Sequence, residues 1–460
     1  MLLRFVSLRT LSVTVVIFCI LILVTTFRLR GHLIIPNTSS SWGAPVHSPS
    51  LELEPLEQYC NTFPPSEDIL VIVKTGANEI HDKLSTQLLT SLRCYKDILL
   101  FSDLEQNIGP FKVHDALKNV SNTTKAESPD FDYYRQLQED KKNDQDITSL
   151  RRESGSAAWN LDKYKFLHML EETWQMKPHR KWYIFIEADT YLVRTNLLLW
   201  LERQDPSELI YYGSPTFVNG QGFAHGGSGV VLSGAALSKF AENDQGIAAR
   251  YDHMLQSEAF GDYVLMKALK DKGVAFSGRW PMLQAEKPST IPFGPGPDNG
   301  VRHWCQPIVT MHHITPEEAC ALFEFEQQRQ HPREPLLLQE LYQDMVGPKV
   351  YAEREDWYNL SDDQLYRPPG VDGDRQKSRD DMSALELEAH VSFEHCGRAC
   401  EEQPRCFQYT YSNRECGFSY SYRLGRKRYP ESGKTFMSGW NLAKIARDQT
   451  KHQCSSPEWL

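Results

Sequence analysis

"EDILVIVKTG" at residues 67–76 and "DILLFSDL" at 97–104 bracket a stretch in which Ile80, Leu84, Leu88 and Leu92 recur at helical spacing. The unbroken apolar run 69–73 predicts a buried strand, the repeat after it predicts a helix, and the second apolar run predicts another strand. Strand, helix, strand is the pattern of a parallel α/β sheet. Outward from this unit, residues 118–155 are polar and charged, which predicts a loop or loosely helical insertion outside the core. A helix from about Trp159 to Trp174 follows, then the strand "WYIFI" ending at Glu187, the strand "LIYYGSP", and the glycine cluster "HGGSGVVLSGAAL" at 225–237. A helix from Asp262 to Lys272 and a late strand, "PIVTMHHIT" at 307–315, close the pattern.

A chain of 460 residues with 40% apolar and 11% aromatic content has the composition of a globular protein with two or three domains. Its net charge of -10 supplies no basic field to attract nucleic-acid phosphates, so nucleic acid is not expected as a partner. Residues 10–27, "TLSVTVVIFCILILVTTF", are uncharged and close to the length of a bilayer-crossing helix. No small-residue cleavage pattern follows them, which favours an uncleaved anchor over a signal peptide. Arg4 and Arg9 before the run balance Arg28 and Arg30 after it, so orientation rests on other residues. Nine cysteines lie beyond the run, four of them within 396–416, and acceptor sequons begin at Asn37, Asn119, Asn122 and Asn359. Both features suit an oxidising secretory lumen. The expected organisation is a cytosolic tail (1–9), a signal anchor (10–27), a stem (28–60), a main domain (61–344), a charged and proline-marked linker (345–385), a cysteine-rich module (386–445) and a tail (446–460). That organisation is the one expected of a single-pass type II membrane protein of the Golgi or ER.

Ligands of a parallel sheet bind in the crevice at the carboxyl ends of its strands, where Glu187 and Asp189 are expected. Paired acids there suit a hard divalent cation, and an added imidazole from His312 or His313 tilts the choice from Mg²⁺ toward Mn²⁺. The same acids can instead cap the helix that starts near Thr195.

The combined pattern resembles the fringe and core 1 β-1,3-galactosyltransferase relatives of glycosyltransferase family 31, especially fungal members. "EADTY" at 187–191 stands where that family has an aspartate triplet before Thr-Tyr, "HGGSGVVLS" where it has Gly-Gly-x-Gly, "GDYVLMKAL" at 261–269 where it has Glu-Asp-Val, and "VTMHHIT" at 309–315 where it has a metal-binding histidine. The chain departs from the pattern at Glu187, Ala188 and Gly261, which replace family acids. The resemblance implies a GT-A fold: a mixed, mostly parallel α/β sheet that binds a UDP-sugar. It further implies a divalent ion held by Asp189 and His312, and inversion at the anomeric centre in forming a β-1,3 linkage to a glycan or glycoprotein acceptor. Asp262 falls on the base that would take the acceptor proton, although an aspartate there also suits the N-cap of its own helix. Glu187 is assigned to the donor ribose or to a metal-bound water. Gly226, Gly227 and Gly229 are assigned to close approach of the donor sugar, or else to a tight turn. Trp280, Phe293 and Trp304 are candidates for stacking on sugar faces, with a place in the core as the simpler role.

In the cysteine-rich module, Cys396 and Cys400 fall on one side of a helix from which they can bond to the strands "RCFQYTYS" and "ECGFSYSY". The spacing is similar to that of a PAN or apple-like module, which implies a carbohydrate- or protein-binding role or a structural appendage. Cys60 with Cys94 and Cys305 with Cys320 are the remaining expected pairs, which leaves Cys454 either for a link between two chains or for a different pairing. Two other readings compete with the transferase. One is a non-catalytic, lectin-like secretory protein with a decayed site, and the other is a glycosidase using two carboxylates.

Overall fold

The computed structural model describes residue 60 and residues 66–152, 156–296, 303–431 and 433–460, all within one compact unit spanning 57–460. The expected tail, membrane span and most of the stem, with the sequon at Asn37, lie outside the described residues. Among the described residues no helix is long and apolar enough to cross a membrane.

The opening unit is present. Strand β1 (Ile69–Lys74) leads through a helix over Ile80–Leu89 to β2 (Ile98–Ser102), and the two strands pair in parallel with Val71 opposite Ile98. With β3 (Gln106–Ile108), β4 (Phe111–Asp115), β5 (Trp182–Glu187), β6 (Tyr211–Gly213), β7 (Val230–Ser233) and β8 (Phe276–Gly278) they form a mixed eight-stranded sheet of order β8-β6-β7-β5-β1-β2-β4-β3. Four of its neighbouring pairs are parallel, and β7 runs antiparallel to both of its neighbours. Alternation sorts the strand residues between two layers. Leu70, Ile72, Phe101, Tyr183 and Phe185 meet the helices Lys165–Met176, Gly234–Ala241 and Gly261–Asp271, whereas Val71, Val73, Leu100, Ile184 and Ile186 meet Leu84, Leu92 and the helix Arg194–Leu201.

The polar stretch 118–155 is not outside the core. It forms the helices Asn122–Glu127 and Phe131–Lys142, and Phe131 and Leu137 are fully buried in the first layer. Its polar average conceals one narrow apolar stripe. Residues 345–385 are likewise more than a linker, because they supply β9 (Glu353–Glu355) and β10 (Gln364–Tyr366). These are the two edges of an antiparallel sheet of order β9-β13-β11-β12-β10, completed by β11 (Gln408–Ser412), β12 (Glu415–Ser419) and β13 (Met437–Trp440). Charge and proline are common in edge strands, so composition reads them as linker.

Disulfide Cys396–Cys416 joins the helix Phe393–Glu402 to β12, Cys400–Cys406 ties it to the segment just before β11, and Cys60 pairs with Cys94 as expected. Cys305 pairs with Cys454 rather than Cys320. Glu458 N–H donates to the carbonyl of Cys305, so the segment after the helix Leu442–Lys451 folds back across the main domain. Cys454 is therefore spent within the chain and unavailable for a link to a second one, while Cys320 is a free, exposed thiol.

One apolar core links the antiparallel sheet to the short bridge beside the larger one: Tyr191, Ile308 and Met311 pack in the same cluster as Phe407, Tyr422 and Trp440. Phe293 and Trp304 belong to it, and Trp280 is half-buried against the His303 ring at 5.0 Å, so these aromatics serve packing. Asn359 is also interior, its amide donating to the carbonyls of Tyr409 and Gly439, which withdraws that sequon from glycosylation of the folded protein.

Candidate active site

Three pieces of local structure converge at the carboxyl end of β5. Parallel pairing sets Lys74 beside Glu187, so two strands end in opposite charges. The antiparallel entry of β7, with Val230 opposite Phe185, delivers the preceding turn Gly226–Ser228 to the same edge. A short antiparallel bridge, Tyr191–Leu192 with Thr310–Met311, brings His312 against Asp189. A cleft of about 450 Å³ results, lined among others by Asp162, Glu187, Asp189, Asp262, His312 and His313.

Asp189, His312 and His313 each offer one ligand atom, all within 4.8 Å of one another. His312 is 4% exposed, with Nε2 3.2 Å from Asp189 Oδ1 and 3.5 Å from Glu187 Oε2, yet neither ring nitrogen makes an aligned hydrogen bond. A buried imidazole with unsatisfied nitrogens beside a carboxylate fits a metal ligand, and a mixed nitrogen and oxygen set suits Mn²⁺ better than Mg²⁺. Both histidines fall within reach, where the sequence favoured His312 alone. Burial pulls the His312 imidazole down, but Asp189 and Glu187 outweigh it and hold the ring up at about 9, so a cation arriving there displaces a proton.

Asp262 opens the helix Gly261–Asp271, where its Oδ1 accepts from Tyr263 N–H at 3.0 Å. Its Oδ2 accepts from Gly226 N–H at 2.9 Å, so the glycine turn holds it in the cleft. Burial raises its carboxyl to about 6 against these two hydrogen bonds. A carboxylate poised there suits a general base.

Gly226 and Gly227 line the cleft and also make room for its walls. A Cβ on Gly227 would lie 2.1 Å from the His312 ring, and one on Gly226 2.8 Å from Phe166. Gly229 sits at φ 89°, a turn conformation that only glycine adopts freely, and does not line the cleft. At Gly261 a Cβ would meet the Lys163 carbonyl oxygen at 2.3 Å, so a side chain there would force its neighbours apart.

Sequence reasoning missed the basic residues. Lys74 contacts Asp162 and Glu187, the latter at 3.0 Å, and Lys83 reaches Asp189 at 3.2 Å. Burial works against the Lys74 ammonium, but Asp162 and Glu187 more than compensate and hold it charged. Fully buried Lys165 continues the line between Asp162 and Asp103, at 3.1 and 3.2 Å. The signal was available for Lys74, which ends an apolar strand as Glu187 does. Lys83, Asp162 and Lys165 sit on helices in no recognisable motif. His225, whose ring lies 5.6 Å from that of His312, was also passed over. Burial and the His312 charge lower it to about 4, so it stands neutral and its Nδ1 accepts from Ser228 N–H at 3.2 Å.

No protein-family model matches the chain.

Proposed function

We propose that this protein is a metal-dependent, inverting glycosyltransferase that moves a hexose from a UDP-sugar to a hydroxyl of a glycan or glycoprotein, forming a β-1,3 linkage. The observation that carries the proposal is the pairing, within one cleft, of the Asp189–His312–His313 cluster with a separate half-buried carboxylate, Asp262. In this reading the eight-stranded sheet is a GT-A domain, and residues 386–445 are an apple-like module. Residues 10–27 anchor the protein in the Golgi or ER membrane with the remainder lumenal.

Asp189, His312 and His313 would hold Mn²⁺, which when bound supplies Lewis-acid stabilisation to a departing diphosphate. Lys83 and Lys74 place two further positive charges beside that cluster. Asp262 accepts the acceptor hydroxyl's proton as that oxygen attacks the anomeric carbon from the face opposite the leaving UDP. With Glu187 engaged by Lys74, Asp262 is the carboxylate free to do so. A glycosidase would have no use for the histidine pair.

The test is thermal stabilisation of the full chain by UDP with and without Mn²⁺. A shift that needs both together supports the reading, and a screen of UDP-sugars for hydrolysis or transfer then identifies the donor. A melting temperature indifferent to the combination rejects it in favour of a lectin-like protein.

A further inference from the structure

The cleft has a second character away from its charged wall. Trp159 is 57% exposed, Phe217 68% and Phe260 44%, and all three line this cleft. They come from three elements: the helix Ala157–Asp162, the first strand of the hairpin Pro215–Ala224, and the residue preceding the helix that begins at Gly261. Large apolar side chains gathered at one exposed rim mark a contact surface, whereas isolated ones need no explanation. Their placement is specific. The Trp159 and Phe260 rings meet edge to face at 6.0 Å and 87°, which fixes both planes, and Phe260 stands two residues from Asp262. The Phe217 ring lies over Gly222, where a Cβ would be 3.1 Å away, at the end of a tight turn through Asn219 and Gly220, both at positive φ.

A pyranose ring carries its hydroxyls around the edge and C–H groups on its faces. The faces pack on aromatic rings, while the hydroxyls need hydrogen-bonding groups beyond them. Asp162, Lys163 and Thr216, which line the same cleft, carry such groups. The nucleotide's diphosphate belongs instead with the cationic wall of Lys74, Lys83 and the histidines. We propose that Trp159, Phe217 and Phe260 form the acceptor platform of the cleft, holding a pyranoside by its C–H face so that one ring hydroxyl meets Asp262. Its role as acceptor rests on the transferase reading above; the sugar contact itself does not.

The experiment uses the full chain, Trp159→Ala, Phe217→Ala and Trp159→Phe, each checked for an unchanged melting temperature. Mn²⁺-dependent UDP affinity should match the unsubstituted protein in all of them. Acceptor KM should rise about tenfold in the two alanine variants and return most of the way in Trp159→Phe. A fall in UDP affinity parallel to the rise in KM, or an unchanged acceptor KM, overturns the platform. Saturation-transfer NMR with methyl hexopyranosides, and with sorbitol as an open-chain control, reads the sugar contact without turnover. Enhancement confined to one C–H face of the pyranoside and lost in Trp159→Ala supports it, while equal signals from sorbitol reject it. If the unsubstituted chain fails to bind UDP with Mn²⁺, the transferase reading falls and the NMR result still decides the sugar contact.

Discussion

Gly227 has no side chain where His312 needs the room. A methyl group added there would overlap the imidazole and push it off Asp189. Gly227→Ala should therefore keep the fold yet weaken Mn²⁺-dependent UDP stabilisation by about ten- to a hundredfold, the scale for disturbing a ligand's support. Titration calorimetry with UDP at fixed Mn²⁺ measures it. The two acids separate differently. Asp189→Asn removes a ligand, so UDP binding and turnover fall together. Asp262→Asn keeps metal-dependent UDP binding while turnover drops roughly a hundredfold or more, the usual scale for a positioned base. The Asp262 carboxyl also sets a pH limb, because turnover should rise as it ionises near pH 6. Its folded value lies above the ordinary 3.8, so the native state binds the extra proton and stability declines as pH rises between those values. Asp262→Asn should abolish both the kinetic limb and that decline. Full turnover in Asp262→Asn would return the residue to a helix cap.

At the scale of elements, the parts that read correctly were those whose period is set by burial. The run 69–73 is apolar at every position because both faces of β1 are covered, and no other arrangement explains it as simply. The edge strands β9 and β10 bury too little to show a period, and the narrow stripe through Phe131 and Leu137 is diluted by its charged neighbours. For the site, Asp189 and His312 stood out as polar residues at strand ends and Asp262 through the resemblance, and the fold brings the three to one cleft. Lys83 and Asp162 did not stand out, because their partners come from other elements and only the folded chain sets them side by side. The helix Pro316–Gln328 holds a further buried acid without a motif. Thr315 and Glu318 cap its start reciprocally, and near its end Glu326 accepts from the Tyr191 hydroxyl. Burial raises the Glu326 carboxyl to about 7 from 4.5, so stability should fall as pH rises through that window and stay low above it. Glu326→Gln keeps an acceptor for Tyr191 and should raise stability at pH 8 by about 1–3 kcal/mol, with little effect at pH 4. Denaturant midpoints at the two pH values check it.

At the scale of the molecule, the cysteine-rich region is not an accessory that can be cut away, because Phe407, Tyr422 and Trp440 complete a core begun by Tyr191, Ile308 and Met311. A chain ending at residue 344 should be insoluble or melt far below the full chain, rather than retain transfer to small acceptors. The Cys305–Cys454 bond closes a long loop of 149 residues. Cys454→Ser should cost about 2–5 kcal/mol of stability, measured by urea unfolding. No spacing rule would find this pair, since proximity across so many residues is a product of the finished fold.

The shared core also orders events during synthesis. Met311, the residue before His312, packs among side chains that leave the ribosome roughly a hundred residues later. Until they arrive, the apolar cluster around Met311 lacks the part that Phe407, Tyr422 and Trp440 supply. A stalled or prematurely terminated product therefore carries every residue of the cleft in its sequence and yet lacks the support that sets them in place. Folding of the segment next to His312 is thus tied to residues far beyond it in the chain.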